Sequence, residues 1–166
     1  MAVGVIAAHF ARSGKHVVLP AVRYAPTWEE RFQYADDGDL WVCSETPSAY
    51  KGGLPLYNPE QRYEIKHLWR QEFTCLKDWD EQTFIVCAKR AWDKAAPKPT
   101  AFIFLNRRMT HFAIVRGSTA DQWEAKERWN FKGTPNAFKA WRYICPLELV
   151  EWRELDPAEA RPYKLA

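Results

Sequence analysis

The chain has 166 residues, of which 47% are apolar and 15% aromatic, nine of them Trp. That length suits one domain with its own core, at the usual ~100–200 residues per domain, and the composition excludes intrinsic disorder. Its 24 basic and 21 acidic residues leave a net charge of +3, which permits contact with a polyanion but excludes a histone-like binder held by bulk charge alone.

Val3, Ile6, Ala7 and Phe10 recur at i, i+3, i+4 and i+7, so residues Ala2–Arg12 are predicted to be a helix, ended by Ser13 and by Gly14 just past its last turn. The apolar stretch Ala2–Phe10 is too short to span a bilayer and has no basic leader region. No membrane is expected, and a cytoplasmic location is, the host cytoplasm if the protein is viral. His16–Val22 is β-branched and reads as a strand, with Pro20 marking an edge or bulge. Thr27 followed by Glu30 has the pattern of a helix start. Asp36-Asp37-Gly38 is a turn, and Asp39–Cys43 is a short strand leaving it.

Ser44–Pro59, rich in Gly, Pro and Ser, is expected to be a long loop. Strands are predicted at Arg62–Leu68, Phe84–Ala88, Ala101–Leu105 and Thr110–Arg116, the last two forming a hairpin with Arg107 and Arg108 at its tip. Ala120–Trp129 reads as helix, Ala140–Cys145 as strand, and Pro146–Glu151 as a short helix opened by Pro. Residues 1–155 form one domain in this reading, and 156–166 a polar tail. The class is α/β or α+β with a mixed sheet. Cys43, Cys75, Cys87 and Cys145 show no C-x-x-C spacing and read as buried free thiols in a reducing compartment. His9, His16, His67 and His111 add no zinc-like spacing.

The residues that carry chemistry are Asp39, Glu64 and Lys66. Glu64 and Lys66 lie two apart in a predicted strand and project from one face. If the strand opened by Asp39 is a neighbour, two carboxylates and an ammonium converge at one end of the sheet. Carboxylates suit Mg²⁺, which keeps several waters and takes few protein ligands. The metal acidifies a bound water and neutralises charge on phosphate, and Lys66 can orient that water. The backbone carbonyl of Ile65 can add a further metal ligand. The same residues also admit a plain reading, in which Asp39 caps a turn and Glu64 and Lys66 form a weak surface pair.

Asp39, followed after a loop by Glu64-Ile65-Lys66, resembles the signature of the PD-(D/E)xK, or restriction-endonuclease-like, nuclease superfamily. The resemblance covers about residues 1–120. It implies an αβββαβ core with a central mixed sheet flanked by helices, Mg²⁺ or Mn²⁺ as cofactor, and Asp39, Glu64 and the Ile65 carbonyl as metal ligands beside Lys66. Many members carry a further acidic residue on an upstream helix, a place that Glu29 or Glu30 can fill, Glu30 being preferred. Asp37 is a reserve for Asp39. Small members include junction resolvases and repair and phage nucleases. The resemblance therefore implies a metal-dependent DNA hydrolase, an endonuclease in preference to an exonuclease, with branched, flapped, single-stranded and duplex substrates all left open. Junction cutters work in pairs, so a homodimer is an option by analogy. The alternative is a non-catalytic nucleic-acid-binding protein with a nuclease-like fold.

Arg107 and Arg108 either grip phosphate or form a solvated turn, and Gln71 and Thr74 are secondary contacts for phosphate or water. His67 is expected to point away from Glu64 and Lys66. Trp41 and Trp141 are expected in the core. Trp28, Trp69 and Trp79 lie near the proposed site, where core packing competes with stacking on unpaired bases.

Overall fold

The computed structural model describes residues 1–20, 38–130 and 138–156. Helix α1 (Ala2–Arg12) forms as its periodicity predicts, burying Val5 and Ile6. It is closed by Gly14 at φ +76°, whose N–H donates to the Ala11 carbonyl. The strands follow as β1 (His16–Val18), β2 (Leu40–Cys43), β3 (Ala49–Lys51), β4 (Leu54–Leu56), β5 (Pro59–His67) and β6 (Thr83–Ala88). After a short helix α2 (Lys89–Lys94) come β7 (Ala101–Leu105), β8 (His111–Arg116), β9 (Glu124–Asn130), β10 (Phe138–Pro146) and β11 (Val150–Glu154).

Six strands form a mixed sheet in the order β1-β2-β5-β7-β8-β11, in which β5 and β7 run parallel and every other neighbouring pair is antiparallel. The crossover from β5 to β7 contains β6 and α2. All five residues of β7 are buried, as a strand covered on both faces requires. Alternation sorts its side chains. Ile103 and Leu105 join Leu40, Ile65 and the α1 residues in one apolar cluster, while Phe102 and Phe104 join Phe84, Val86 and Cys145 in another.

The second cluster is closed by a three-stranded antiparallel sheet, β6-β10-β9. The mixed sheet and the α+β class thus agree with the expectation. Among the described residues, one face of the sheet is packed by α1 and the other mainly by strands, with α2 only six residues long. Among the described residues no helix is long and apolar enough to cross a membrane.

Several elements depart from their sequence reading. The expected loop Ser44–Pro59 contains a hairpin, β3 paired with β4, turned by Gly52-Gly53 at φ +59° and +80°. Two consecutive positive φ values are what a two-residue hairpin turn needs, and glycine provides them without strain. The expected helix Ala120–Trp129 is a 3-10 segment, Gly117–Gln122, followed by β9. Good helix formers there yield to seven cross-strand partners on β10, so tertiary pairing overrides propensity.

The expected helix Pro146–Glu151 is one 3-10 turn, Leu147–Leu149, and then β11, where Val150 pairs with Val115. Cys75 is exposed, unlike the three other thiols. Trp141 is exposed rather than in the core. The predicted helix start at Thr27, with Trp28, Glu29, Glu30 and Asp37, lies outside the described residues, as does the tail from residue 157. Leu155 is buried, and its N–H donates to the Thr110 carbonyl at 2.7 Å.

The β7–β8 turn is organised by Asn106, which is fully buried. Its amide NH₂ donates to Glu72, to the Phe73 carbonyl and to Thr110, while its oxygen accepts from the N–H groups of Thr110 and His111. One side chain thereby satisfies backbone groups from two loops. Asn106→Ala is expected to lower unfolding stability by about 2–4 kcal/mol, because a buried carbonyl and two N–H groups lose their partner at once. Urea denaturation of the variant checks this; a loss under about 0.5 kcal/mol would contradict it.

Candidate active site

Strand β5 lies between β2 and β7 in the mixed sheet. Arg62, Glu64 and Lys66 alternate along it onto the face that meets the second sheet, with Glu64 opposite Phe102 and Lys66 opposite Phe104. On the other side, Leu40 pairs with Tyr63 and Trp41 with Arg62, so continuing the antiparallel register sets Asp39 opposite Glu64. The Asp39 N–H donates to the Tyr63 carbonyl at 3.1 Å, and its carboxylate Oδ2 accepts the Ile65 N–H at 2.7 Å. Asp39 is therefore fixed to β5 by backbone and side chain together. The N–H and C=O of one strand residue face the same edge, so the Ile65 carbonyl points to the side where Asp39 sits.

Glu64 is held by Arg62, whose Nη2 donates to Oε1 at 2.6 Å, while Nη1 donates to the Pro97 carbonyl at 3.1 Å. Arg62 is only 2% exposed and Glu64 15%. A charge removed from water this far needs a partner, and here the two groups supply each other's. Gly38 explains why a glycine precedes Asp39. Its φ is +80°, and a Cβ there would lie 2.7 Å from Nε and 2.9 Å from Cγ of Arg62.

Lys66 reaches across to the second sheet, its Nζ donating to the Val86 carbonyl at 2.5 Å. The ammonium lies 5.1 Å and 5.2 Å from the ring centroids of Phe102 and Phe104. Burial pushes its pKa down; the neighbouring Cys87, Glu64 and Asp39 offset this in part, while Arg142 adds to it. Burial likewise pushes the Cys87 thiol up to about 11, so it stays protonated. Lys66 opens onto a cavity of about 250 Å³ whose wall includes Gln71, Trp79, Glu81, Phe84 and Arg142.

The structure thus brings together Asp39, Glu64, Ile65 and Lys66, with Gln71 in the cavity wall. It does not bring in Thr74, whose hydroxyl and N–H both donate to Asp78. Arg107 and Arg108 are exposed at the hairpin tip, outside the cavity wall. The tip is joined to the wall through its backbone, since the Arg107 N–H donates to the Gln71 carbonyl at 2.8 Å. His67 turns away as alternation predicts, its Nε2 lying 3.1 Å from the Arg107 carbonyl oxygen.

Trp79 packs on Phe84 and Trp152, and Trp69 is exposed under the Arg70 guanidinium. Two site residues escaped the sequence reading. Arg62 carried a signal, standing two residues before Glu64 on the same face. Arg142 carried none, because β10 reaches the site only through the second sheet.

Two carboxylates and a backbone carbonyl on adjoining segments of the sheet are donors that suit a hard cation that keeps most of its water. Among the described residues, no group of three or more His, Cys, Asp and Glu gathers to hold a metal ion.

Gly38→Ala is expected to cost about 1–3 kcal/mol in urea denaturation, since Arg62 is held at both ends and cannot retreat from the new methyl. Wild-type stability in this variant would contradict the packing of Gly38 on Arg62. The folded pKa of Lys66 lies below its unfolded value, so the unfolded chain binds more protons in that window and stability rises with pH there. The stability gained on replacing Lys66 with Met should accordingly shrink as pH rises toward 10.5. A pH-independent difference between variant and wild type in chemical denaturation would contradict the burial of this ammonium.

Comparison of the chain with protein-family models, with curated proteins and with solved structures finds no match.

Proposed function

We propose that this chain is a Mg²⁺- or Mn²⁺-dependent nuclease that hydrolyses phosphodiester bonds in DNA, as an endonuclease. The observation that carries the reading is the juxtaposition of Asp39, just before β2, and Glu64 on the neighbouring β5, with the Ile65 N–H clamping the Asp39 carboxylate and Lys66 one step along the same face. With β3, β4 and β6 set aside as members of other sheets, the succession α1, β1, β2, β5, α2, β7, with β7 parallel to β5, follows the order of helices and strands in an αβββαβ core and supports the reading as well.

The residues fit a divalent cation. Asp39 Oδ2 accepts from Ile65 and Glu64 Oε1 from Arg62, which orients both carboxylates. Asp39, Glu64 and the Ile65 carbonyl would hold the ion, which when bound supplies an acidified water and a counter-charge for phosphate. Arg62 fixes the Glu64 carboxylate in one orientation, and rigid placement of this kind underlies most of the rate gain from a site's charges. Lys66 carries three donors on its ammonium, one of them directed at Val86, and in a low-dielectric wall its charge acts strongly on a phosphate oxygen or an attacking water. Gln71 and Arg142 supply neutral and cationic donors on the same wall.

A second reading, a nucleic-acid-binding protein without turnover, is favoured by one observation: Glu64 is paired with Arg62 and Lys66 with a backbone carbonyl, as structural charges would be. The two readings separate in one assay. Purified protein with Mg²⁺ or Mn²⁺ is expected to nick or degrade DNA, and Asp39→Asn or Glu64→Gln to slow cleavage by about 10²-fold or more while the far-UV spectrum is retained. Equal cleavage by wild type and a Glu64→Ala/Lys66→Ala variant would remove the assignment. Salt-dependent binding with no cleavage in either metal would favour the second reading.

A further inference from the structure

The β9–β10 arm has a use that the metal site does not explain. Strand β6 pairs with β10 only as far as Ala88 opposite Arg142, yet β9 and β10 continue together from Arg142 back to Phe138. Over that stretch the sheet is, among the described residues, a two-stranded ribbon, with exposed aromatics at Trp129, Phe138 and Trp141. Exposed rings on so thin an element add no core.

The register separates the two faces of the ribbon. Arg142 lies opposite Lys126, Ala140 opposite Arg128, and Phe138 opposite Asn130, so Phe138, Ala140, Arg128, Arg142 and Lys126 share one face. Glu124 joins that face and pairs with Lys126 at 2.7 Å, leaving it with three cations to one carboxylate among the described residues. The other face carries Trp129, Trp141, Lys139 and Glu127. There Lys139 pairs with Glu127 at 3.0 Å and lies 5.5 Å from the Trp129 ring centroid, so that face is neutral among the described residues. The positive face is also the one that leads inward, because Arg142 lines the cavity onto which Lys66 opens.

We propose that the Phe138–Arg128–Arg142 face binds an unpaired nucleic-acid strand and guides it to the Lys66 cavity; what happens at the end of that path rests on the nuclease reading above. Arg128 and Arg142 contact successive phosphates, Phe138 stacks on a base, and Ala140 lets the strand approach the backbone. A ring beside cations on one face is the combination that single strands use, since every base has a face to stack and every linkage a charge. A duplex hides its base faces and would leave Phe138 without a role.

Fluorescence anisotropy with a labelled thymidine oligonucleotide of about 20 nucleotides, longer than the ~4–16-nucleotide sites of single-strand binders, tests this in EDTA, where cleavage cannot intervene. The wild type should prefer the single strand to a duplex of the same length. Arg128→Gln/Phe138→Ala should weaken single-strand binding by about tenfold or more, and the salt slope should fall by about one phosphate contact. The matched pair on the opposite face, Lys139→Gln/Trp141→Ala, should stay within about twofold of wild type. All four side chains are exposed, and a far-UV spectrum confirms that both variants fold.

Equal losses on the two faces, no loss on either, or tighter binding of the duplex would each overturn the proposal. Failure of the nuclease reading would look different, as single-strand binding that survives with no metal-dependent cleavage.

Discussion

Arg62 is a guanidinium almost entirely removed from water, and the arrangement of the site follows from how it is accommodated. A buried cation demands an anion and a carbonyl, and Glu64 and Pro97 answer on its two ends. Its aliphatic stem demands a neighbour without a Cβ, which Gly38 is. That glycine in turn sets the backbone path from which Asp39 enters β2 and clamps onto Ile65. Withdrawing the Glu64 carboxylate would weaken the compensation of a guanidinium held in a low-dielectric setting, where the penalty reaches several kcal/mol. The carboxylates are therefore oriented by packing before any ligand is considered.

Burial of charge also connects the two sheets. Lys66 starts on the mixed sheet and ends on a carbonyl of β6, between phenylalanine rings of β7. The second sheet is thus more than a lid on the apolar cluster. Through Val86 and Arg142 it supplies one side of the cavity, and through β9 and β10 it extends past the core as a ribbon.

Much of this was legible in the sequence. The α1 stripe, the strands around Glu64 and Ala101, and the hairpin at Arg107 all rest on local periodicity, which the chain displays openly. The pairing of Asp39 with Glu64 could be anticipated because a glycine turn and a Glu-x-Lys alternation are both short-range signals. What stayed hidden depends on partners distant in sequence. Residues 124–130 are rich in helix formers and become a strand only because β10 lies beside them. The Gly52-Gly53 hairpin was concealed differently, since its turn residues also read as loop composition. Arg142 belongs to the site by tertiary approach alone, and no spacing rule could have found it.

The position of β5 has a consequence for when the site comes into being. The Asp39–Ile65 bond joins residues 26 apart, Lys66 meets Val86 across 20, and the Arg62 N–H finds Thr100 across 38. None of these contacts can form within a local segment, and closing such loops is what makes non-local topologies slow to fold. A ribosome must release the chain through β7 before Glu64 has both of its strand neighbours. The site is consequently a property of the finished sheet: no fragment ending before residue 101 assembles it.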